Sequence, residues 1–291
     1  MPGVESCISG PFVTSKQELS GCAKFGWRVY NPAFVSGACL RILLLSDIHS
    51  NLEALNATVE SAPPHEVVVN LGDVVGYGAS PNEVIDVSRK LGKVFVRGNH
   101  DKAAAGLMDL TDFNPIAGMA ALWTRDNLTT ENLQWLRELP AGPVHLDNDP
   151  LDAQFVHGSP MDEDEYLVSL RDALEPLMAY PIALTFFGHS HIQGGFFLNA
   201  RHEDVLKPTY HANDQHEVFT VPLKKEVQYL INPGSVGQPR DGDWRASYAL
   251  FDSEKYEVQF HRVPYDIRTA QDRILAANLP PRLAARLAAG R

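Results

Sequence analysis

Five short apolar runs in this chain stop abruptly at aspartate, histidine or asparagine, and most of the stops sit beside glycine. They read "LLLSDIHSN" (43–51), "EVVVNLGD" (66–73), "KVFVRGNHD" (93–101), "AQFVHGSP" (153–160) and "ALTFFGHSH" (183–191). Each run has the length and β-branched or aromatic content of a buried strand. A strand puts residues two apart on one face, so Asp47 and His49 are expected to aim at one point beyond the first strand's carboxyl end. An ordinary backbone cap explains one such stop. It does not explain five, because independent caps have no reason to favour metal-binding side chains or to recur as D-x-H, G-D, G-N-H-D, H-G and G-H-x-H. Five of the eleven histidines, His49, His100, His157, His189 and His191, fall at these stops.

Helical patterns separate the first three runs. "SNLEALNATVESA" predicts a helix between Asn51 and Ala62, and "PNEVIDVSRKLG" an amphipathic helix with Pro81 near its start. This β-α-β-α-β alternation predicts a layered α/β domain, in which sites gather outside the carboxyl ends of the strands. Further helices are expected over 115–127 and 130–138, with Trp123 and Trp135 as scaffold. A β-rich C-terminal part follows ("FTVPL", "VQYLIN", "SYALFD", "EVQFHRV"), and then a final helix over 266–278 stopped by Pro280-Pro281. Segment 194–225 is expected to be an inserted hairpin or excursion, and the acidic run 162–165 a solvated helix start or a rim that repels long polyanions.

Charge and cysteine content narrow the partners and the compartment. The 291-residue chain carries a net charge of −11, against a broad grip on a nucleic-acid backbone or an anionic membrane, and no apolar run approaches a bilayer span. All three cysteines, Cys7, Cys22 and Cys39, lie in the first 40 residues, and a cysteine-free remainder fits a reducing cytoplasm. Lys24, Arg28 and Arg41 interrupt the only candidate signal-peptide stretch. Residues 1–40 look foreign to the domain over 41–291. Either they are a disordered tail, or translation truly starts near Leu40, a residue that an internal TTG start codon yields.

The ordered series of strand-end motifs resembles the calcineurin-like metallophosphoesterase superfamily from about Arg41 onward. "NPIAGMAALWTRDNLT", "INPGSVGQPRDGDWRASYALFD" and "LPPRLAARLAAG" resemble its bacterial branch related to diadenosine tetraphosphatases. The resemblance implies two mixed β-sheets packed face to face and flanked by helices. It also implies two divalent transition-metal ions, with Asp47, His49 and His191 on one, Asn99, His157 and His189 on the other, and Asp73 bridging. An oxygen and nitrogen donor set without thiolate suits Mn, Fe, Zn or Co, with Mn favoured. His100 is then the general acid, with Asp101 orienting it and raising its pKa.

Asn51 reads equally as a phosphate donor or a helix cap. Arg240 reads as a phosphate anchor or as a salt-bridge partner of Asp241 or Asp243. The implied activity is hydrolysis of small phosphodiesters or phosphoanhydrides by metal-bound hydroxide. Diadenosine tetraphosphate and cyclic nucleotides lead as substrates, and no nucleic-acid or membrane partner is expected. A serine/threonine protein phosphatase, which shares the R-G-N-H of 97–100, and a non-catalytic metal-binding scaffold are the alternatives.

Overall fold

In the strand Arg41–Leu45, side-chain alternation assigns the layers. Ile42 and Leu44 enter a core shared by two sheets, while Leu43 and Leu45 enter a second core against helices. The computed structural model describes residues 29–30, 40–92, 94–111, 113–146 and 151–291. The expectations for residues 1–40 therefore lie almost wholly outside the described residues.

The chain runs β1 (Val29–Tyr30), β2 (Arg41–Leu45), α1 (Leu52–Ser61), β3 (Val67–Asn70), α2 (Pro81–Leu91), β4 (Val94–Phe95), α3 (Asn99–Ala105), α4 (Pro115–Asn127) and α5 (Thr130–Arg137). It continues β5 (His145–Leu146), β6 (Ala153–Phe155), α6 (Leu170–Ala179), β7 (Leu184–Phe186), β8 (Gly194–Leu198), β9 (Glu203–Leu206) and β10 (Glu217–Pro222). β11 (Gln228–Asn232), β12 (Ala246–Asp252), β13 (Glu257–Val263), α7 (Ile267–Ala276) and α8 (Pro281–Ala289) complete it.

Apart from the parallel two-stranded pair of β1 with β5, one sheet has six strands in the order β10-β13-β12-β2-β3-β4, and the other has five in the order β6-β7-β11-β8-β9. Both are mixed: β2, β3 and β4 are parallel, as are β6, β7 and β11, and the remaining pairs are antiparallel. Phe155, Phe186, Phe251 and Phe260 fill the space between the sheets, with the first two stacked at 5.5 Å. Removing water from such a side chain contributes about 1.5–3 kcal/mol, so this layer fixes how the two sets of strand ends face each other. Helices α1, α2, α4, α7 and α8 cover the outer face of the larger sheet, and α6 covers that of the smaller.

The helices begin where their caps dictate. Asn51, Asn114, Thr129, Ser169 and Asp266 each accept a hydrogen bond from the third residue beyond. Three expectations change. Pro280-Pro281 does not end the helical structure, because Pro281 occupies the first turn of α8, where a missing N–H costs nothing. Segment 194–225 holds the expected hairpin, β8 with β9, but as part of the framework: β8 and β9 extend one sheet and β10 forms the edge of the other. The run 162–165 is a turn and starts no helix, since its carboxylates are drawn inward to Arg97, Lys102 and Ser159.

Candidate metal centre

The parallel strands β2, β3 and β4 and the parallel strands β6 and β7 send their carboxyl ends to one place. Cross-loop hydrogen bonds knit them together: Asp47 N to Gly72 O at 2.9 Å, His49 N to Asp73 O at 3.0 Å and Gly188 N to His157 O at 2.8 Å. Asp47 and His49 are not on the strand, as alternation suggested. They lie beyond its end at Leu45, and both adopt left-handed backbone, with φ of 53° and 50°. Asp73, His189 and His191 do the same, with φ of 54°, 63° and 59°. Each such residue costs roughly 1–3 kcal/mol and persists only where the surroundings impose it.

The neighbouring glycines have a steric cause. A Cβ on Gly98 would lie 2.0 Å from Asp73 Oδ1, and one on Gly188 would lie 2.0 Å from Ser46 Oγ and 2.9 Å from Asp47 Oδ2. Backbone must approach the carboxylates too closely for any side chain.

Asp47, His49, Asp73 and His191 form one buried group, and Asp73, His157 and His189 a second. Within each group the candidate ligand atoms lie within 4.8 Å of one another. Asp73 belongs to both, and Asn99 joins the second, its Oδ1 lying 3.3 Å from His157 Nε2. The geometry thus gathers all seven residues that the motifs singled out.

These residues fit a pair of divalent ions. His49, His157 and His191 each place Nδ1 against a backbone carbonyl, of Val75 at 3.1 Å, Leu71 at 2.8 Å and Gln238 at 2.6 Å. Donation through Nδ1 leaves each Nε2 lone pair directed inward, the arrangement that metal-binding imidazoles require. His189 is reversed, its Nε2 donating to Asp164 O at 3.0 Å so that Nδ1 faces the cluster. His49 Nε2 and His191 Nε2 face each other at 3.1 Å, and Asp47 Oδ1 is buried without a hydrogen-bond partner. Buried, unsatisfied acceptors converging on one point call for a cation.

The charges agree. Burial opposes ionisation of Asp47 and Asp73, yet histidine neighbours hold both carboxyls below the usual carboxylate range. Burial likewise opposes a charge on His157, but the Asp73 carboxylate pushes it up to about 9. Burial pushes His189 down to about 3 and lowers His49 and His191. The pocket demands positive charge, which the raised His157 shows, while keeping His49, His189 and His191 neutral, a combination that divalent ions satisfy.

His100 lies at the edge of the cluster, its ring 4.3 Å from Tyr77, 4.9 Å from His49 and 5.0 Å from Phe113, and its backbone N–H donates to Asp73 Oδ1 at 2.8 Å. The expected role of Asp101 is corrected. Its carboxylate accepts from Gly98 N at 3.0 Å and Val75 N at 3.1 Å, so it caps α3 and ties down the loop after β3. The His100 imidazole is pushed down to about 4, first by burial and then by the charges of Arg240, His191 and His157 against the pull of Asp73. Burial and the Asp73 charge push the Asp101 carboxyl up to about 7.

Asn51 caps α1 through Ala54 N at 3.1 Å and donates to Gly237 O at 2.9 Å, the capping role of its two readings. Arg240 pairs with neither neighbouring aspartate. Asp241 is bound by Arg262, and Asp243 by Arg245 at 2.6 Å. Its guanidinium instead rests over the Tyr77 ring at 5.8 Å, and its Nε is buried without a partner.

Sequence reasoning missed two aromatic walls. Tyr77 packs on His49 and His100, and Tyr166 stacks on His189 at 3.7 Å. Only the position of Tyr77, between two glycines just after a stop, hinted at this. Nothing local marked Tyr166.

Comparison with known proteins agrees with this geometry. The calcineurin-like phosphoesterase superfamily domain matches residues 40–256. An uncharacterized protein of Methanocaldococcus jannaschii is 38% identical over 252 residues, 86% of this chain and 98% of that protein. The crystal structure of a metallophosphoesterase from Sphaerobacter thermophilus is 39% identical, with a TM-score of 0.71, over 87% of this chain and 99% of that one. A hypothetical protein from Pyrococcus horikoshii, 21% identical over the same shares of the two chains, has the same fold at a TM-score of 0.67. The left-handed strand ends, the inward-facing imidazoles and the family match lead to one conclusion: the chain belongs to the calcineurin-like phosphoesterase superfamily and is a metal-dependent phosphoesterase.

Proposed function

We propose that the protein is a dinuclear-metal hydrolase of small phosphodiesters or phosphoanhydrides, with diadenosine tetraphosphate the first substrate to try and cyclic nucleotides the next. The observation that carries this reading is the buried cluster in which Asp73 is shared by two groups of donors. Asp47, His49 and His191 hold one ion and Asn99, His157 and His189 the other, with manganese favoured over iron, zinc and cobalt. When bound, such a pair supplies an activated water and the charge that polarises a phosphoryl group.

The chain's own groups do the rest. Arg240, among the described residues free of any carboxylate partner, takes a phosphate oxygen. His100 delivers a proton to the leaving group, and a phosphate anion beside its ring favours the charged form that burial disfavours. Asp101 holds His100's helix in place, and Asn51 locks the loop carrying Asp47 and His49 to that carrying Gly237. A net charge of −11 argues for a small ligand gripped at the centre over a polymer gripped along its backbone, and the cysteine-free stretch after Cys39 argues for the cytoplasm.

Steady-state kinetics of the metal-reconstituted protein on diadenosine tetraphosphate, cyclic nucleotides, a phosphopeptide and single-stranded DNA, at matched metal and salt, test the reading. The highest kcat/KM is expected on one of the first two. A preference for the phosphopeptide would make the protein a protein phosphatase, a preference for DNA would overturn the small-ligand argument, and metal binding with no turnover would make it a scaffold.

A further inference from the structure

From Arg273 to the last residue the sequence holds four arginines, Arg273, Arg282, Arg286 and Arg291, and no carboxylate side chain, inside a chain of net charge −11. Arg273 pairs with Glu53 at 2.6 Å. The other three, two of them on α8, line a groove of about 810 Å³ that α8 forms with the start of α4 at Asn114, Pro115 and Ile116. Among the described residues none of the three is paired with a carboxylate side chain, and Arg286 Nε donates to the α-carboxyl oxygen of Arg291, the last residue, at 2.7 Å.

Arg286 joins this groove to the metal centre. Its guanidinium lies over the Tyr77 ring at 5.6 Å, and Arg240 lies over the same ring at 5.8 Å. That ring in turn touches His49 at 4.7 Å and His100 at 4.3 Å. Two cations share one aromatic plate, and among the described residues the one acidic group bonded to either is the α-carboxyl of Arg291, although carboxylates outnumber cationic side chains in the chain. Burial and the charge of Arg240 both hold the Arg286 guanidinium below its usual range, so the pair repels. A polyanion relieves that repulsion, and planar forked donors match phosphoryl oxygens.

We infer that Arg286, with Arg240, binds the phosphoryl group next to the one being hydrolysed, and that Arg282 and Arg291 carry the following phosphates along the α4–α8 groove. The inference rests on the phosphoesterase reading and deepens it: the substrate is a chain of phosphoryl groups, as in a nucleoside polyphosphate, a dinucleoside polyphosphate or inorganic tripolyphosphate, and not a compact cyclic diester. No lining side chain of the groove is a carboxylate, and the α-carboxyl of Arg291 is already bonded to Arg286.

The test has two arms on the full-length protein at fixed free manganese. In the first, titration calorimetry measures imidodiphosphate and orthophosphate on the wild type, Arg286→Gln and Arg286→Lys. Imidodiphosphate is expected to bind about 10- to 100-fold more weakly to Arg286→Gln, the loss of charge-assisted hydrogen bonds, with orthophosphate much less affected and Arg286→Lys in between. Equal weakening of both anions, or of neither, overturns the inference whether or not the protein turns over any substrate.

In the second arm, kcat/KM on diadenosine tetraphosphate and on tripolyphosphate is divided by that on bis(p-nitrophenyl) phosphate, which has one phosphoryl group. The ratio is expected to fall by a similar factor in Arg286→Gln, and an unchanged ratio again overturns the inference. A fall for only one of the two polyphosphates identifies the source of the chain. No turnover of any substrate by the wild type would defeat the parent reading alone, because the binding arm does not depend on it.

Discussion

The two sides of the metal centre are held by different means. Asp47, His49 and His191 are fixed by main-chain groups of core loops: the carbonyls of Val75 and Gln238 on the two imidazoles, and Gly237 N on Asp47 O at 3.0 Å. His189, on the other side, leans on the turn 162–165 and on the half-exposed ring of Tyr166. That turn is fastened from outside by side chains, with Arg97 on Glu163 at 2.9 Å, and Lys102 on Glu163 at 3.0 Å and on Asp164. Backbone that must remain hydrogen-bonded makes a rigid mount, whereas a turn pinned by partly buried side-chain ion pairs makes a more adjustable one. On the proposed two-ion assignment Asp47, His49 and His191 are therefore pre-organised, as is His157 through Leu71 O at 2.8 Å, while His189 depends on a turn that can loosen, so metal loading is expected in two steps, tight and then weaker.

Asp73 belongs to both sides, and its loss should have the largest effect. Asp73→Asn is expected to lower kcat/KM by more than the factor of about 10² to 10⁴ typical of a lost general acid, and to weaken both metal-binding steps in calorimetry. Loss of one step alone would show that the carboxylate serves one ion.

His100 comes next. Replacing it with Asn is expected to slow esters with poor leaving groups by about 10²- to 10⁴-fold and nitrophenyl esters less, because a good leaving group scarcely needs a proton. Equal losses on both ester types would make His100 a positioning residue.

These two residues also show what a sequence discloses. Asp73 and His100 were legible because an apolar strand that halts beside glycine is a local event, although the room that Gly98 and Gly188 make is for Asp73, Ser46 and Asp47, far away in sequence. The left-handed conformation of the ligand-bearing residues was not legible, because it is imposed by hydrogen bonds from loops far away in sequence, such as Asp47 N to Gly72 O. The fastening of 162–165 and the Tyr77–Arg240–Arg286 stack were hidden too. Lys102 and Glu163 are 61 positions apart, and a charge run reads as solvated until its partner is placed. Asp101 misled for the converse reason, since both residues lie in the first turn of α3, where successive side chains point in different directions and Asp101 turns back to Gly98 N and Val75 N.

The adjustable mount gives a third expectation. Lys102→Met or Glu163→Gln should weaken the second metal-binding step by about 10- to 100-fold, the usual effect of removing outer support from a metal ligand, and leave the first step unaltered. Stepwise calorimetry reads this directly, and weakening of both steps would abolish the distinction. The fastening also has a pH sign. Burial opposes the Glu163 charge, but Arg97 and Lys102 hold its pKa below the usual range, so its contribution is fully present above the ordinary carboxylate pKa and is lost as pH falls through the lowered value. The weaker step should therefore depend on Glu163 but not on pH around neutrality, and fail first in acid.

The smallest effect tests the rigid mount. Asn51 uses its side-chain oxygen to cap α1 and its amide to hold Gly237 O, while Gly237 N holds Asp47 O, so one residue joins the helix start to both loops. Asn51→Ala should lose about 1 kcal/mol of stability, the value of a missing cap, or roughly 2–4 °C in Tm for a domain of this size. Asn51→Ser restores an equally good cap but has no amide to donate, so it separates the two bonds. If capping is the main duty, Ser should recover most of the lost Tm and both variants should keep kcat/KM within a few-fold of the wild type. If the amide instead grips phosphate, Ser should recover stability and not activity. That dissociation, read from thermal melts and kinetics on the same samples, would move Asn51 from the mount into the substrate site.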